Sequence, residues 1–185
     1  MLSINSERLL FNACESGCLN LVKDIINDDT NINILNKNKD TPLIIACKNN
    51  HNEVIKVLVN CNADLNYINN ENEDALTLAC INNNIEIINY LIKFGVDINY
   101  KNKLNKSYLS FATLHCNLNV IELLLQNSSN EIIETTINKN FNKNVDYRYE
   151  ISIQKLLLNY YFKKIFKQYP NSYIKYYNRK KIIFK

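Results

Sequence analysis

The stretch Thr41–Asn50, TPLIIACKNN, places a small alanine inside a short apolar block, and this arrangement recurs along the chain. The alanine returns at steps of 33 residues, at Ala13, Ala46, Ala79 and Ala112, and a cysteine follows the first three. A register kept over four positions is too regular for chance, so the sequence indicates an internal repeat of 33 residues.

Each unit contains two short patterns with helical spacing. In the second unit, Leu43 and Ala46 mark the apolar side of a first helix, and Val54, Ile55 and Leu58 mark that of a second. Helices this short are not stable alone in water, but neighbouring pairs can bury a shared core when they stack. Glycine and proline number only 2 each, which disfavours an all-β protein. The predicted fold class is therefore all-α, a solenoid of four stacked helix-turn-helix repeats.

The residues of two units carry a family resemblance. Asp40–Asn66, DTPLIIACKNNHNEVIKVLVNCNADLN, resembles an ankyrin repeat, whose pattern begins Thr-Pro-Leu-His-x-Ala and ends Gly-Ala-Asp-x-Asn. Asp74–Asn99 is similar to the same pattern, and the resemblance covers about residues 6–130. It implies an ankyrin repeat array over residues 1–130, with units near 6–38, 39–71, 72–104 and 105–130.

The chain departs from the family pattern at the start of each first helix. The family's threonine is Thr41, Asp74 and Ser107 in units two to four, and each of these residue types is a good helix N-cap. The family's histidine is replaced by Ile44, Thr77 and Ser110. The hydrogen bonds that this histidine usually makes between repeats are therefore expected to be missing.

The two glycines lie at turns where the family also has glycine. Asn50 and Asn83 occupy the position of Gly17 in the next units, and Asn62 occupies the position of Gly95. Glycine adopts a left-handed backbone freely, and asparagine tolerates it better than most residues. All five residues are therefore predicted to have positive φ.

The repeat register fails after Leu125, and residues 131–185 are predicted to form a basic, tyrosine-rich C-terminal cap and tail. A polar stretch, Asn130–Asn144, precedes an amphipathic helix predicted at about residues 149–169. That helix is expected to cap unit four with Leu158, Phe162, Ile165 and Phe166, while Lys163, Lys164 and Lys167 face water.

The net charge of the chain changes near the start of this C-terminal segment. Residues 145–185 hold ten Lys/Arg and two Asp/Glu, a net +8, and subtraction from the whole-chain +4 leaves −4 for residues 1–144.

The sequence gives no sign of catalytic or cofactor chemistry. It contains no phosphate-binding glycine loop, metalloprotease helix or nucleophile elbow, so an enzyme is not expected and neither a cofactor nor a metal is predicted. The row Cys14, Cys47 and Cys80 suits small buried core residues better than a thiol ladder or a metal site. Cys116 and His115 are adjacent on a helix, so their side chains point about 100° apart rather than towards each other.

A location inside the cell is expected, in the cytoplasm. No signal peptide precedes the repeats and no apolar run is long enough to span a membrane. The six cysteines contain no C-x-x-C pair and are best interpreted as reduced thiols.

The resemblance implies that another protein binds at the turn tips and the inner face of the first helices. In this chain the corresponding residues are Lys37, Asn38, Asp40, Lys48, Asn49, Asn70, Glu71, Glu73, Ile81, Asn82, Lys103, Leu104, Lys106, Leu114 and His115. Ile81, Leu104 and Leu114 are candidate anchors, because apolar residues contribute most when a partner removes them from water. The alternative is that these are neutral surface positions.

The function predicted from these features is a non-catalytic, monomeric scaffold for protein–protein interaction. Its alternative is association with nucleic acid or with an anionic membrane surface through the tail. The tail segment Asn171–Lys185, NSYIKYYNRKKIIFK, mixes aromatic rings with Lys/Arg, which suits base stacking and phosphate contacts. Nucleic acid is the less favoured partner because no recognition motif is present, and insertion into a membrane is not expected.

Overall fold

The computed structural model describes residues 4–26, 30–102, 106–115, 117–140, 153, 155–161 and 164. Within these residues the named helices are α1 (Ile4–Ser16), α2 (Leu19–Ile25), α3 (Pro42–Lys48), α4 (Asn52–Asn60), α5 (Ala75–Ile81), α6 (Ile85–Lys93), α7 (Tyr108–Leu114), α8 (Leu118–Asn127) and α9 (Asn130–Asn140). Residues 155–161 are helical as well. The described part of the chain contains no strand, only an isolated antiparallel bridge between Lys101 and Ser107.

The first eight helices form two rows. Each helix of the inner row, α1, α3, α5 and α7, packs on the next, and the outer row α2, α4, α6 and α8 stacks in the same way. Within each unit, the inner helix also packs on the outer helix that follows it. The predicted all-α repeat architecture is confirmed.

The repeated alanines lie where the two rows meet. Ala13, Ala46 and Ala112 are fully buried and Ala79 is 3% exposed, as the sequence predicts. The apolar pairs of the outer helices, such as Ile87 and Ile88 in α6, are buried in the same core. A side chain no larger than a methyl group allows the neighbouring backbones to approach closely, so these positions determine how tightly one unit stacks on the next.

The predicted N-caps are confirmed in all three units. The Thr41 hydroxyl oxygen accepts a hydrogen bond from the Ile44 backbone N–H at 3.2 Å, and Asp74 caps α5 in the same way at 2.7 Å. Ser107 accepts from the N–H three residues later at 3.2 Å. In α3 the cap is followed by Pro42 at the first helical position, where a missing N–H costs nothing.

All five predicted left-handed positions are confirmed, with φ of 59° at Asn50, 63° at Asn62, 54° at Asn83, 71° at Gly17 and 91° at Gly95. Each of these residues follows a helix and turns the chain towards the next element.

One of the turns requires glycine for a second reason. The His51 ring lies so close to Gly17 that a Cβ atom there would come within 2.5 Å of its Nδ1. His51 also makes a hydrogen bond through Nε2 with the Glu15 carbonyl oxygen at 2.9 Å. Asparagine can therefore replace glycine at the matching turns of units two and three, but not at Gly17.

Two further left-handed residues were not anticipated. Lys39 and Asn72 have φ of 62° and 60°, and they lie 33 residues apart in the turns between units. Each turn is organised by an asparagine three residues earlier: the Asn36 Oδ1 atom accepts two backbone N–H groups across the turn at 2.8 and 2.9 Å, and Asn69 Oδ1 accepts two at 2.9 Å. These side chains hold the turn tips in a defined shape.

The segment after Ser129 is a helix and contributes to the core, which corrects its interpretation as a polar stretch. In α9, Ile132, Ile133 and Ile137 are buried together with Thr136, and α9 packs on α7. The spacing i, i+1, i+4, i+5 is the same as in the outer helices. Exposed Glu131 and Glu134 and half-buried Thr135 flank these buried residues, so the composition of the segment does not reveal its apolar side.

Part of the predicted C-terminal helix is described. Ile153 and Leu157 are buried in the core and Leu158 packs against it, half-buried. The expectation that Lys164 faces water is wrong: it is half-buried and its Nζ donates a hydrogen bond to the Ser128 carbonyl oxygen, because the end of α8 leaves this oxygen without a helical partner.

The other residues of the predicted stripe lie outside the described residues, namely Phe162, Lys163, Ile165, Phe166 and Lys167. The capping of unit four by this helix stays a prediction.

We expect Asn83→Ala to lower the free energy of unfolding by about 1 kcal/mol, because alanine has no local hydrogen bond to offset a left-handed backbone. Asn83→Gly is the matched control and should leave stability unchanged or slightly higher. A urea titration of both variants measures the difference. Equal stability of the alanine and glycine variants would contradict the strained turn.

Candidate functional site

We call the surface formed by the turn tips and the inner helices the tip-and-helix face; it comprises the fifteen residues predicted to contact a partner. Those that are exposed are Lys37, Asn38, Asn49, Asn70, Glu71, Leu114 and His115, and those that are half-buried are Lys48, Glu73, Ile81, Asn82 and Lys106. Lys103 and Leu104 lie outside the described residues. Asp40 is only 3% exposed, which corrects the prediction that its side chain contacts a partner.

Four of these residues form one cluster of charge between units two and three. The Lys48 Nζ atom lies 3.2 Å from Asp40, 2.8 Å from Glu71 and 3.7 Å from Glu73. Asn69 donates a further hydrogen bond to the Asp40 carboxylate at 2.8 Å. Asp40 is thus enclosed by its own neighbours, which removes it from the surface that a partner could reach.

The cluster changes the protonation of its members. Burial opposes the charge of Lys48, but hydrogen bonds with Glu71 and Asp40 outweigh it and raise the Lys48 pKa. The hydrogen bond with Lys48 lowers the pKa of Glu71. Burial raises the pKa of Glu73, and the nearby Glu71 adds to that rise. Three carboxylates around one ammonium group leave this part of the face with an excess of negative charge.

An apolar strip lies further along the same row of helices. Glu15, Lys48, Ile81 and Leu114 occupy one position at 33-residue intervals, so the row changes from charged to apolar between units two and three. The Leu114 side chain is 45% exposed, and Ile81 is half-buried.

Phe111 adds to this strip one helical turn before Leu114. It is half-buried, and Lys106 Nζ lies 5.6 Å from the centre of its ring. At this distance the ammonium group is attracted to the ring face. Phe111 is not among the residues predicted to contact a partner, although its spacing of three residues from Leu114 places it on the same helix face.

The repeats are joined by hydrogen bonds that replace those of the missing family histidine. The Tyr108 hydroxyl group donates to the buried Asp74 carboxylate of the preceding unit at 2.7 Å. Burial and the charge of Asp74 raise the Tyr108 pKa, which keeps the phenol protonated as the donor. Asn82 and Asn117 donate to the carbonyl oxygens of Cys47 and Cys80 at 2.8 and 2.9 Å. Asparagine therefore has a structural role between units as well as in the turns.

The cysteine row consists of free thiols in the core. Cys14, Cys47 and Cys80 are buried, and burial raises the pKa of Cys14 to about 12. The pKa values of Cys47 and Cys80 are raised further by burial and by the charge of Asp74. Thiols held in this protonated state are poor nucleophiles and poor metal ligands. Among the described residues, no group of three His, Cys, Asp or Glu side chains is arranged to hold a metal ion, and Cys116 lies outside them.

None of the helices in the described part of the chain has the length and apolar character needed to span a bilayer.

A protein-family model for ankyrin repeats in three copies matches residues 10–102 and 61–137. The two matches together cover more than half of the chain, so the protein belongs to the ankyrin repeat family. Repeats of this family generally mediate protein–protein interaction, and the family is typically non-enzymatic. A search of curated proteins finds no match.

We expect Lys48→Gln to lower the free energy of unfolding by at least about 1 kcal/mol, because it leaves the buried Asp40 carboxylate without its cation. Lys56→Gln is the matched control, since Lys56 also pairs with two glutamates, Glu53 and Glu86, but both of these are exposed. The control should lose less stability in a urea titration. Equal losses would show that the Lys48 cluster is no more than a surface ion pair.

Proposed function

We propose that this protein is a non-catalytic scaffold that binds another protein through the tip-and-helix face. The observation that supports the proposal is the apolar strip of Ile81, Phe111 and Leu114, which lies on the surface where the family resemblance implies that a partner binds. Leu114 is 45% exposed and lies near the two other apolar side chains. When a partner covers it, the apolar surface leaves water, and this makes the free energy of binding more favourable.

The neighbouring charge cluster would give the interaction its specificity. The strip and the cluster, which includes Glu71 and Glu73, adjoin where α3 packs on α5, since Lys48 and Ile81 occupy equivalent positions of these two helices. A partner that covers Ile81 must also match the excess negative charge of the two glutamates, so a basic residue next to its apolar anchor is favoured. A like-charged segment would be rejected at the same place.

The proposal includes a monomeric protein inside the cell. It is supported by the described cysteines, all of which are free, because a reducing compartment keeps thiols in that state.

Association of the basic tail with nucleic acid or an anionic membrane is the second candidate function. It is supported by the separation of charge, +8 in residues 145–185 against −4 in the rest of the chain. It ranks second because the tail sequence contains no recognisable nucleic-acid-binding motif.

The test is affinity capture from the source cell with the full chain and with Ile81→Asp/Leu114→Asp. We expect the protein captured by the full chain to be lost or reduced at least about tenfold with the variant, because two apolar anchors are replaced by charge.

Leu118→Asp is the matched control for this capture, since Leu118 is 40% exposed but begins the outer helix α8. The control should retain the partner. Capture that survives the double variant, or that is lost equally with Leu118→Asp, would overturn the proposal.

A further inference from the structure

The loops that follow α4 and α6 line an open, shallow pocket of about 310 Å³. Phe94 forms one wall and is 43% exposed, and its ring stacks on Tyr90 with the ring centres 4.8 Å apart. Leu65, half-buried, lines the pocket in the other loop. An exposed phenylalanine supported by a half-buried tyrosine beside a pocket of this size can hold one or two side chains of a peptide.

Two carboxylates lie in the loops that line the pocket. Asp64 lines it, and Asp97 lies three residues after Phe94; both are exposed. Each uses one oxygen to accept its own loop's N–H at 2.9 Å, and neither forms an ion pair with a Lys or Arg of the described residues. We call Asp64, Leu65, Phe94 and Asp97 the loop edge; its chemistry favours an occupant that combines basic and aromatic side chains.

The chain itself contains a segment with that chemistry. Residues 165–185, outside the described part, carry six basic residues and neither Asp nor Glu: Lys167, Lys175, Arg179, Lys180, Lys181 and Lys185. Six aromatic residues are interspersed among them: Phe166, Tyr169, Tyr173, Tyr176, Tyr177 and Phe184.

The last described residue before this segment, Lys164, is linked to the loop edge by a series of hydrogen bonds. Lys164 donates to the Ser128 carbonyl oxygen, and the next residue, Ser129, donates its N–H to Asn99 Oδ1 at 2.7 Å. The Asn99 N–H in turn donates to Asp97 at 2.9 Å. The residues from 165 onwards could span roughly 70 Å if extended, so the whole loop edge is within reach. Because the two parts belong to one chain, their effective concentration is on the order of millimolar, and weak contacts suffice.

We propose that residues 171–185 of this chain dock on the loop edge. Basic side chains meet Asp64 and Asp97, and aromatic side chains pack on Phe94. The loop edge does not include any residue of the tip-and-helix face, so this inference is independent of the proposed function, and either can fail without the other.

The first test is photo-crosslinking in the full chain, with Phe94→p-benzoylphenylalanine as the probe and Leu114→p-benzoylphenylalanine as the matched control. Both positions are exposed to a similar degree, 43% and 45%. We expect the probe at position 94 to capture peptides from residues 171–185 within one molecule, and the control to capture none. Absence of tail peptides at position 94, equal capture at both positions, or a product of doubled mass would each overturn the proposal.

The second test removes charge without disturbing the loops. In Asp64→Asn/Asp97→Asn the remaining side-chain oxygen can still accept the loop N–H, and Asp24→Asn/Glu122→Gln is the control, with two other exposed acids neutralised. We expect trypsin to cleave the tail at Lys175 and Arg179 at least about twofold faster in the first variant, since two exposed ion pairs are lost. Equal cleavage rates in both variants would overturn the proposal.

Discussion

The structure depends on the stacking of one short helix pair on the next. The longest described helix has 13 residues and most have 7 to 10, too few to be stable in isolation. Each pair becomes stable only when its apolar faces are covered by neighbouring pairs, and the buried alanines at 33-residue intervals keep those neighbours close. The regular stacking also aligns equivalent residues of successive units, and that alignment produces the apolar strip and the charge cluster.

Asparagine has a physical role at three kinds of position in this chain. It adopts the left-handed backbone at turns where the family has glycine, as at Asn50 and Asn83. It holds the turn tips through side-chain acceptors at Asn36 and Asn69. It also joins units through donors such as Asn82, which bonds a carbonyl oxygen of the preceding unit. The chain contains 35 asparagines, and these contacts explain how so polar a composition remains compatible with a repeat array.

The sequence predicts the repeated parts of this protein well because each local choice occurs several times in register. The caps at Thr41, Asp74 and Ser107 and the left-handed turns could be identified from the 33-residue spacing together with the family resemblance. Features that occur only once could not be identified in this way. The helix α9 follows no 33-residue register, and its two buried pairs, Ile132–Ile133 and Thr136–Ile137, are separated by polar residues.

Contacts between residues that are far apart in the chain could not be predicted from the sequence either. The enclosure of Asp40 by Lys48 and Asn69 joins residues 8 and 29 positions away in the chain, and nothing in the local pattern of Asp40 distinguishes it from an exposed turn residue. The family resemblance implied a candidate surface for a partner, but only the packing shows which of its side chains remain accessible. For the same reason the loop edge was not predicted, since Phe94 and Asp64 come together only when units two and three stack.

The central claim is that the inner row of helices and the turn tips form the binding surface. Hydrogen–deuterium exchange of the full chain, free and with its captured partner, tests this directly. The account predicts slower exchange confined to α5, α7 and the turn before α5 when the partner is bound. Slower exchange confined to the outer helices α4, α6 and α8, with the inner row unchanged, would contradict it.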